Sequence, residues 1–117
     1  IDIDMDLELN AINGKFYNIL KQMAPFGPEN MTPIFASHNV RMSGIPTIMK
    51  EKHLKIEVFQ PSPQGAVKYT AIGFGMADFY PKLINGKPFS IVYTIEENTF
   101  RENTTLQLYL KDIKFEQ

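Results

Sequence analysis

The chain has no cysteine, which excludes a disulfide bond, a thiolate nucleophile and a cysteine-ligated zinc ion. It also has no apolar run near the roughly 18 residues that a membrane-spanning helix needs, so we expect no membrane segment. The lack of cysteine suits a reducing compartment, and the expected location is the cytoplasm. With 117 residues, 44% of them hydrophobic and 21% charged, the chain has the size and composition of one globular domain.

The sequence also lacks a large positive charge. Its net charge is −1, which by itself argues against a strong nucleic-acid binder, because phosphate neutralisation needs clustered Lys and Arg. The charge is unevenly distributed, however. The first ten residues hold four acids and no base, so the remaining 107 residues carry 12 basic against 9 acidic side chains, a net charge of +3.

The first nine residues, IDIDMDLEL, alternate apolar and acidic side chains, which is the period of a half-buried strand. The acidic side could be a DNA mimic or a metal site, but carboxylates that protect an open sheet edge are the favoured interpretation. The chain starts at Ile1 rather than methionine, with no signal peptide, so we expect a piece of a longer protein.

A helix is predicted next, ending near Met23, with Asn10 or Asn13 as its N-cap. Its apolar residues have helical spacing: Ile12, Phe16, Ile19, Leu20 and Met23. Behind it, PFGPEN (residues 25–30) places two prolines and a glycine in six positions, which predicts a stop and a rigid elbow. We therefore expect residues 1–30 to be the tail of a preceding domain and residues 31–117 to form the next domain.

Five apolar runs follow, interrupted by one helical segment. The runs cover residues 34–49 with a bend at Gly44 and Pro46, then residues 53–59, 67–74, 89–97 and 106–115. Residues 76–84 have helix-like spacing, although Pro81 keeps any helix short. The order predicts a mainly β protein: a five-stranded OB-fold, a Greek-key barrel with a short helix between strands 3 and 4, preceded by the N-terminal strand and helix.

OB-folds bind ligands along strands 2 and 3 and with the loops joining strands 1 to 2 and 4 to 5. Basic and aromatic residues gather in those stretches, and the candidate DNA-binding residues are Lys50, Lys52, His53, Lys55, Lys68, Phe100, Arg101 and Asn103. Lys55 and Lys68 are expected to face each other across strands 2 and 3. Phe100, in the polar hairpin loop NTFRENT, could stack a base or cover the barrel mouth. The alternative is that these lysines are ordinary solvated surface residues.

No catalytic or metal-binding pattern is present in the sequence. His38 and His53 are the two histidines, and neither has a partner at a metal-ligand spacing. There is no G-x-S-x-G motif and no P-loop. We therefore expect no catalytic residue, no metal and no cofactor within this chain.

Several stretches together resemble the C-terminal region of RecJ, the single-strand-specific DNA exonuclease of bacteria. The family's Pro-Phe-Gly-Pro-Gly-Asn-Pro-Glu-Pro-x-Phe is similar to PFGPENMTPIF here, and its His-Leu-Lys strand resembles HLKIEV. AIGFGM and IEENTFRENTTLQLYLKDI resemble a later strand and the closing hairpin, so that matches run in order from about Leu9 to Ile113.

The resemblance implies an OB-fold that holds single-stranded DNA for a separate DHH-family catalytic core in the same chain, which cuts from the 5′ end with Mn or Mg. Nothing here resembles the DHH motifs, so this piece is expected to bind DNA and not to cut it. Repair proteins are further candidate partners. Glu29, Met31, Thr32 and Glu102 depart from the family pattern, and Glu102 stands at a usual hairpin glycine.

Two alternatives remain open at this point. One is a protein-interaction or structural OB barrel that contacts DNA little, which the small net charge permits. The other is an unrelated OB domain that binds an anticodon or an oligosaccharide. The salt dependence of binding and competition by RNA or glycans distinguish these alternatives.

Overall fold

The computed structural model describes residues 2–23 and 32–116. It contains seven strands and two short α-helices, which in chain order are β1 (Met5–Asp6), α1 (Gly14–Met23), β2 (Phe35–Met42), β3 (Thr47–Met49), β4 (His53–Phe59), β5 (Tyr69–Gly73), α2 (Tyr80–Leu83), β6 (Phe89–Phe100) and β7 (Asn103–Phe115). Two 3-10 turns, Leu9–Ala11 and Ala77–Phe79, precede α1 and α2. No helix in the described part of the chain has the length and apolar character needed to span a membrane.

The strands form one sheet in the order β1-β2-β6-β7-β5-β4-β3, and an additional pairing joins β2 to β4. In that pairing Arg41 lies opposite Phe59 and Met42 opposite Val58. It links β2, β6, β7, β5 and β4 into a ring, and β1 and β3 lie outside this ring at its two ends. The sequence prediction of a mainly β domain is confirmed.

The ring encloses the hydrophobic core because apolar residues alternate along its strands. In β4, Leu54, Ile56 and Val58 are buried, while Lys55 between them is exposed. Phe35 and Tyr93 are fully buried and pack with their ring centroids 6.1 Å apart. In β4 every second residue therefore faces inward, as the period of a half-buried strand requires, whereas β6 is buried at five consecutive residues, from Ile91 to Ile95.

Helical segments cover two regions of the core. Phe16 of α1 packs on Phe35 with ring centroids 6.1 Å apart. In the segment that carries α2, Phe79 packs on Phe115, and Phe115 packs in turn on Phe89. α1 begins after Asn13, whose Oδ1 accepts a hydrogen bond of 2.8 Å from the Phe16 N–H, so Asn13 is the N-cap.

The N-terminal segment is fastened to the barrel by buried polar contacts. The Leu9 N–H donates to Gln60 Oε1 at 2.6 Å, and Gln60 Nε2 donates to the His38 carbonyl oxygen at 2.8 Å. The Tyr69 hydroxyl donates to the carbonyl oxygen of Ile12. The division at residue 30 stays a prediction, and PFGPEN lies outside the described residues.

The predicted N-terminal strand was wrong in extent. Among residues 2–9, only Met5 and Asp6 are in a strand, which pairs in parallel with β2 at the end of the sheet. Ile3 and Met5 are 46% and 51% exposed, so their alternation with the acids does not mark a buried face. From residue 2 onward, the first fully buried residue is Leu9, in the 3-10 turn.

The predicted loop at residues 98–104 was also wrong. β6 continues to Phe100 and β7 begins at Asn103, so the connection is a two-residue turn. The turn residues Arg101 and Glu102 both have positive φ, 50° and 70°, which is typical of a tight hairpin. Thr99 and Thr104, whose hydroxyls lie 3.0 Å apart, are β-branched residues that favour pairing despite their polarity.

Candidate nucleic-acid interface

The outward sides of β4, β5, β7 and β6 form a continuous surface, which we call the open face. Strand register places four of its residues in one row across these strands: Lys55, Ile72, Tyr109 and Thr94. In the next row Glu57 pairs with Thr70, and Gln107 pairs with Glu96. The open face arises from the same alternation that buries the core, because every second side chain points away from it.

Three aromatic rings are in contact along this face, and we call them the aromatic row. The rings of His53 and Phe74 have centroids 5.5 Å apart, and those of Phe74 and Tyr109 are 5.4 Å apart, both with edge-to-face geometry. Phe74 is 59% exposed. An exposed aromatic side chain held by its neighbours is the kind of group on which nucleobases stack.

The backbone at the end of β5 fixes the aromatic row. Phe74 is followed by Gly75, whose φ is +70° and whose N–H donates to His53 Nδ1 at 2.9 Å. This bond sets the orientation of the His53 ring, and it requires Nδ1 to be the unprotonated nitrogen. The Ala77 N–H donates to the Lys52 carbonyl oxygen at 3.1 Å and holds the β3–β4 turn against the same corner.

Basic side chains flank the aromatic row. Lys55 is exposed in the same row as Tyr109, and Lys111 borders a shallow depression beside Tyr109. Lys50 and Lys52 lie on the β3–β4 turn, next to His53. None of these lysines has a carboxylate within salt-bridge distance in residues 2–23 and 32–116.

Acidic side chains on the open face moderate this positive charge. Glu57 accepts hydrogen bonds from Thr70 Oγ1 at 2.7 and 2.9 Å, and Glu96 accepts one of 2.9 Å from Thr94 Oγ1. Threonine hydroxyl groups thus hold both carboxylates in the row next to the one that carries Lys55 and Tyr109. The open face can bind a phosphate backbone only locally, where the lysines project.

Lys55 and Lys68 do not face each other, so that expectation was wrong. Lys55 lies opposite Ile72, and the Glu57–Thr70 pair comes next along β4 and β5. Lys68 is four residues from Ile72, or roughly 13 Å along a strand, and it borders a groove beside α1. Alternation correctly predicted that both side chains are exposed, but it did not predict the register.

The remaining candidates lie at the β6–β7 hairpin. The Arg101 guanidinium lies 5.2 Å from the centroid of the Phe100 ring, and Phe100 is 65% exposed. Asn103 pairs with Phe100 at the turn. Eight residues separate Arg101 from Tyr109, a distance of roughly 26 Å along β7. Of the eight candidates, four therefore lie near the aromatic row (Lys50, Lys52, His53 and Lys55), three lie at the hairpin (Phe100, Arg101 and Asn103), and Lys68 borders the groove beside α1. Their roles in DNA binding stay predictions.

Sequence reasoning missed Phe74, Tyr109 and Lys111. Tyr109 and Gln107 alternate with the buried Leu108 and Leu110, so their outward direction could have been read from LQLYL. Alternation also places Phe74 outward, two residues after Ile72, but its position in an apolar run concealed that signal.

Two other polar groups belong to the framework. Burial raises the pKa of the Tyr69 hydroxyl, which is bonded to the N-terminal segment. His38 lies 3.4 Å from a carboxylate oxygen of Asp6 and forms a 2.9 Å hydrogen bond with the Ser90 hydroxyl. Within the described residues no three His, Asp or Glu side chains are grouped as a metal site would require.

Comparison with solved structures identifies the class of fold. The chain is similar to the mitochondrial single-stranded DNA binding protein Rim1 of S. cerevisiae, with a TM-score of 0.54 and 16% sequence identity over 72% of this chain and 94% of that one. At this identity the likeness concerns the fold.

The sequence then identifies the family. Residues 3–112 match the family described as the RecJ OB domain, and the chain belongs to that family. No curated protein matches the chain significantly. The resemblance to RecJ inferred from PFGPEN, HLK and the closing hairpin is confirmed.

Proposed function

We propose that this chain is the single-stranded-DNA-binding module of a RecJ-like 5′-to-3′ exonuclease that acts in DNA repair and recombination in the cytoplasm. The observation that carries the proposal is the aromatic row on the open face between lysines, in which Phe74 is exposed and His53 and Tyr109 are half-buried. Membership of the RecJ OB domain family and the likeness to a single-stranded DNA binding protein support it. In this interpretation β2, β4, β5, β6 and β7 are the five strands of the OB Greek key.

Two contributions to the binding free energy would combine, base stacking and lysine–phosphate contacts. Stacking of a base on an aromatic ring contributes roughly 1 to 3 kcal/mol and tolerates any sequence. Each lysine–phosphate contact releases counterions and makes the affinity depend on salt. The chemistry of cutting, with its divalent Mn or Mg ion, belongs in this proposal to the catalytic core of the parent protein.

The salt dependence of affinity tests the electrostatic part. Fluorescence anisotropy with labelled oligo-dT should give a log affinity that falls linearly with log salt, by a slope of about −0.7 for each phosphate contact. The double variant Lys55→Ala/Lys111→Ala should reduce the size of that slope by about 1.4 if each lysine holds one phosphate. Lys87→Ala, an exposed lysine between α2 and β6, is the matched control and should leave the slope unchanged.

A protein-docking barrel is the second candidate, and one observation favours it. Ile45, just before the short edge strand β3, is 75% exposed, and Ile48 within that strand is 41% exposed. Protein docking would be favoured over DNA binding if log affinity depended little on log salt. The Lys55→Ala/Lys111→Ala and Lys87→Ala variants would then both keep the wild-type affinity. RNA or glycans that outcompete oligo-dT would indicate a different class of OB ligand.

A further inference from the structure

A second concave surface lies beside the open face, between α1 and the β6–β7 hairpin. We call it the helix–hairpin groove, and its volume is about 620 Å³, within the size range of small-ligand sites. Tyr17 and Asn18 of α1 line one wall, and Thr105 and Gln107 of β7 line the other. Lys68, just before β5, also lines it.

The groove presents polar groups that are not committed elsewhere in the described chain. The side-chain amides of Asn18 and Gln107 make no hydrogen bond with residues 2–23 or 32–116, although both border the groove. Lys68 has no carboxylate within 4.0 Å among the same residues. An amide offers a donor and an acceptor side by side, which is the pattern that nucleobase edges also display.

Charge is distributed unevenly across the groove. Where α1 faces β6, Glu97 of β6 lies 3.5 Å from Lys21 of α1. Burial raises the pKa of Tyr17, and the carboxylates of Glu97 and Glu96 raise it further. These two carboxylates outnumber the single Lys21 ammonium. This side disfavours a phosphate. The opposite side carries the Lys68 ammonium, so an anion and a neutral base would occupy different ends of the groove.

The groove is continuous with the open face. Thr70 and Gln107 line the groove, and each is two residues from Ile72 or Tyr109 in the row that carries Lys55. Two residues of strand correspond to roughly 7 Å. A DNA strand with one base stacked on Tyr109 therefore needs little further length to reach the groove.

We propose that the helix–hairpin groove holds one nucleotide of the bound strand, with its base hydrogen-bonded by Asn18 and Gln107 and its phosphate on Lys68. This inference rests on the proposed function. It adds a base-reading position to a face that otherwise binds by sequence-tolerant stacking. Asn and Gln pair with the N6 and N7 edge of adenine, so adenine is the expected base.

The test compares oligo-dA with oligo-dT of equal length by fluorescence anisotropy. The double variant Asn18→Ala/Gln107→Ala should lose affinity for oligo-dA several-fold more than for oligo-dT. Phe74→Ala should weaken both about equally, and Gln22→Ala, another exposed amide on α1, should change neither. Asn18→Leu/Gln107→Met, which keeps the approximate side-chain size and removes both amides without adding charge, should reproduce the selective loss if the alanine variant fails to fold.

The outcomes separate the two proposals. If the groove variants retain both affinities, or lose both equally, base reading in the groove is refuted while Phe74→Ala can still support binding on the open face. If the wild-type protein binds neither oligonucleotide, the proposed function fails and the groove proposal fails with it.

Discussion

Replacing Phe74 with alanine tests the aromatic row at its central ring. Phe74 contacts both His53 and Tyr109 and is 59% exposed, so the substitution removes the middle of the stacking surface without opening the core. Loss of one base stack costs roughly 1 to 3 kcal/mol. Because about 1.4 kcal/mol corresponds to a tenfold change in affinity, Kd for oligo-dT should rise by roughly 5-fold to 150-fold.

The same substitution should have little effect on folding. Less than half of the Phe74 side chain is buried, so we expect the free energy of unfolding to fall by about 1 kcal/mol or less, against about 3 to 5 kcal/mol for a core phenylalanine. Urea denaturation of the variant checks this. Ile84→Ala is the matched control, since Ile84 is an apolar residue 57% exposed after α2.

Anisotropy titrations at several salt concentrations decide the result. Phe74→Ala should weaken binding at every concentration with an unchanged slope, because the ring contacts no phosphate in this account. Phe74→Tyr should retain most of the affinity, since it keeps an aromatic face. A folded Phe74→Ala protein that binds oligo-dT as tightly as the wild type would refute stacking on the aromatic row.

Three further predictions concern the framework. Burial raises the pKa of Tyr93 to about 12 from its usual 10.0, so its neutral form is favoured in the fold. Stability present below pH 10 should therefore fall by about 2 kcal/mol as the pH rises to 12. Thermal melts should show a smaller fall in Tyr93→Phe. Gln60→Ala leaves the buried Leu9 N–H without its partner and should lower the free energy of unfolding by about 1 to 3 kcal/mol, measured by urea denaturation. Gln64→Ala, at an exposed position, should lower it little. Equal effects of the two substitutions would contradict the role of Gln60. Glu102→Gly relieves a positive φ of 70°, so it should raise the melting temperature and increase the free energy of unfolding by about 1 kcal/mol. A destabilised variant would contradict this interpretation of the turn.

The sequence was sufficient for properties that depend on local periodicity. Leu54, Ile56 and Val58 alternate with polar residues, and all three are buried as that pattern predicts. The N-cap Asn13 was one of two candidates, and its side chain makes the capping hydrogen bond. Such features depend on neighbours a few residues apart, which a single sequence displays directly.

Features that depend on register and on sheet edges were not predictable in the same way. A period of two places Lys55 and Lys68 on the outward side, but only the pairing of Lys55 with Ile72 shows that they are apart. Likewise, Ile3 and Met5 alternate like buried residues, yet β1 lies at the sheet edge, where little covers them. Phe74 follows the two-residue alternation of Thr70 and Ile72, but its contact with His53 depends on the turn in which the Gly75 N–H bonds to that ring.

Mapping of amide chemical shifts by NMR during titration with oligo-dT tests most directly whether the open face binds single-stranded DNA. We expect the largest changes at Lys55, Ile72 and Tyr109 and at their neighbours on β4, β5 and β7. Changes confined to β3 and α2, or no changes at concentrations that saturate other single-strand binders, would contradict the account.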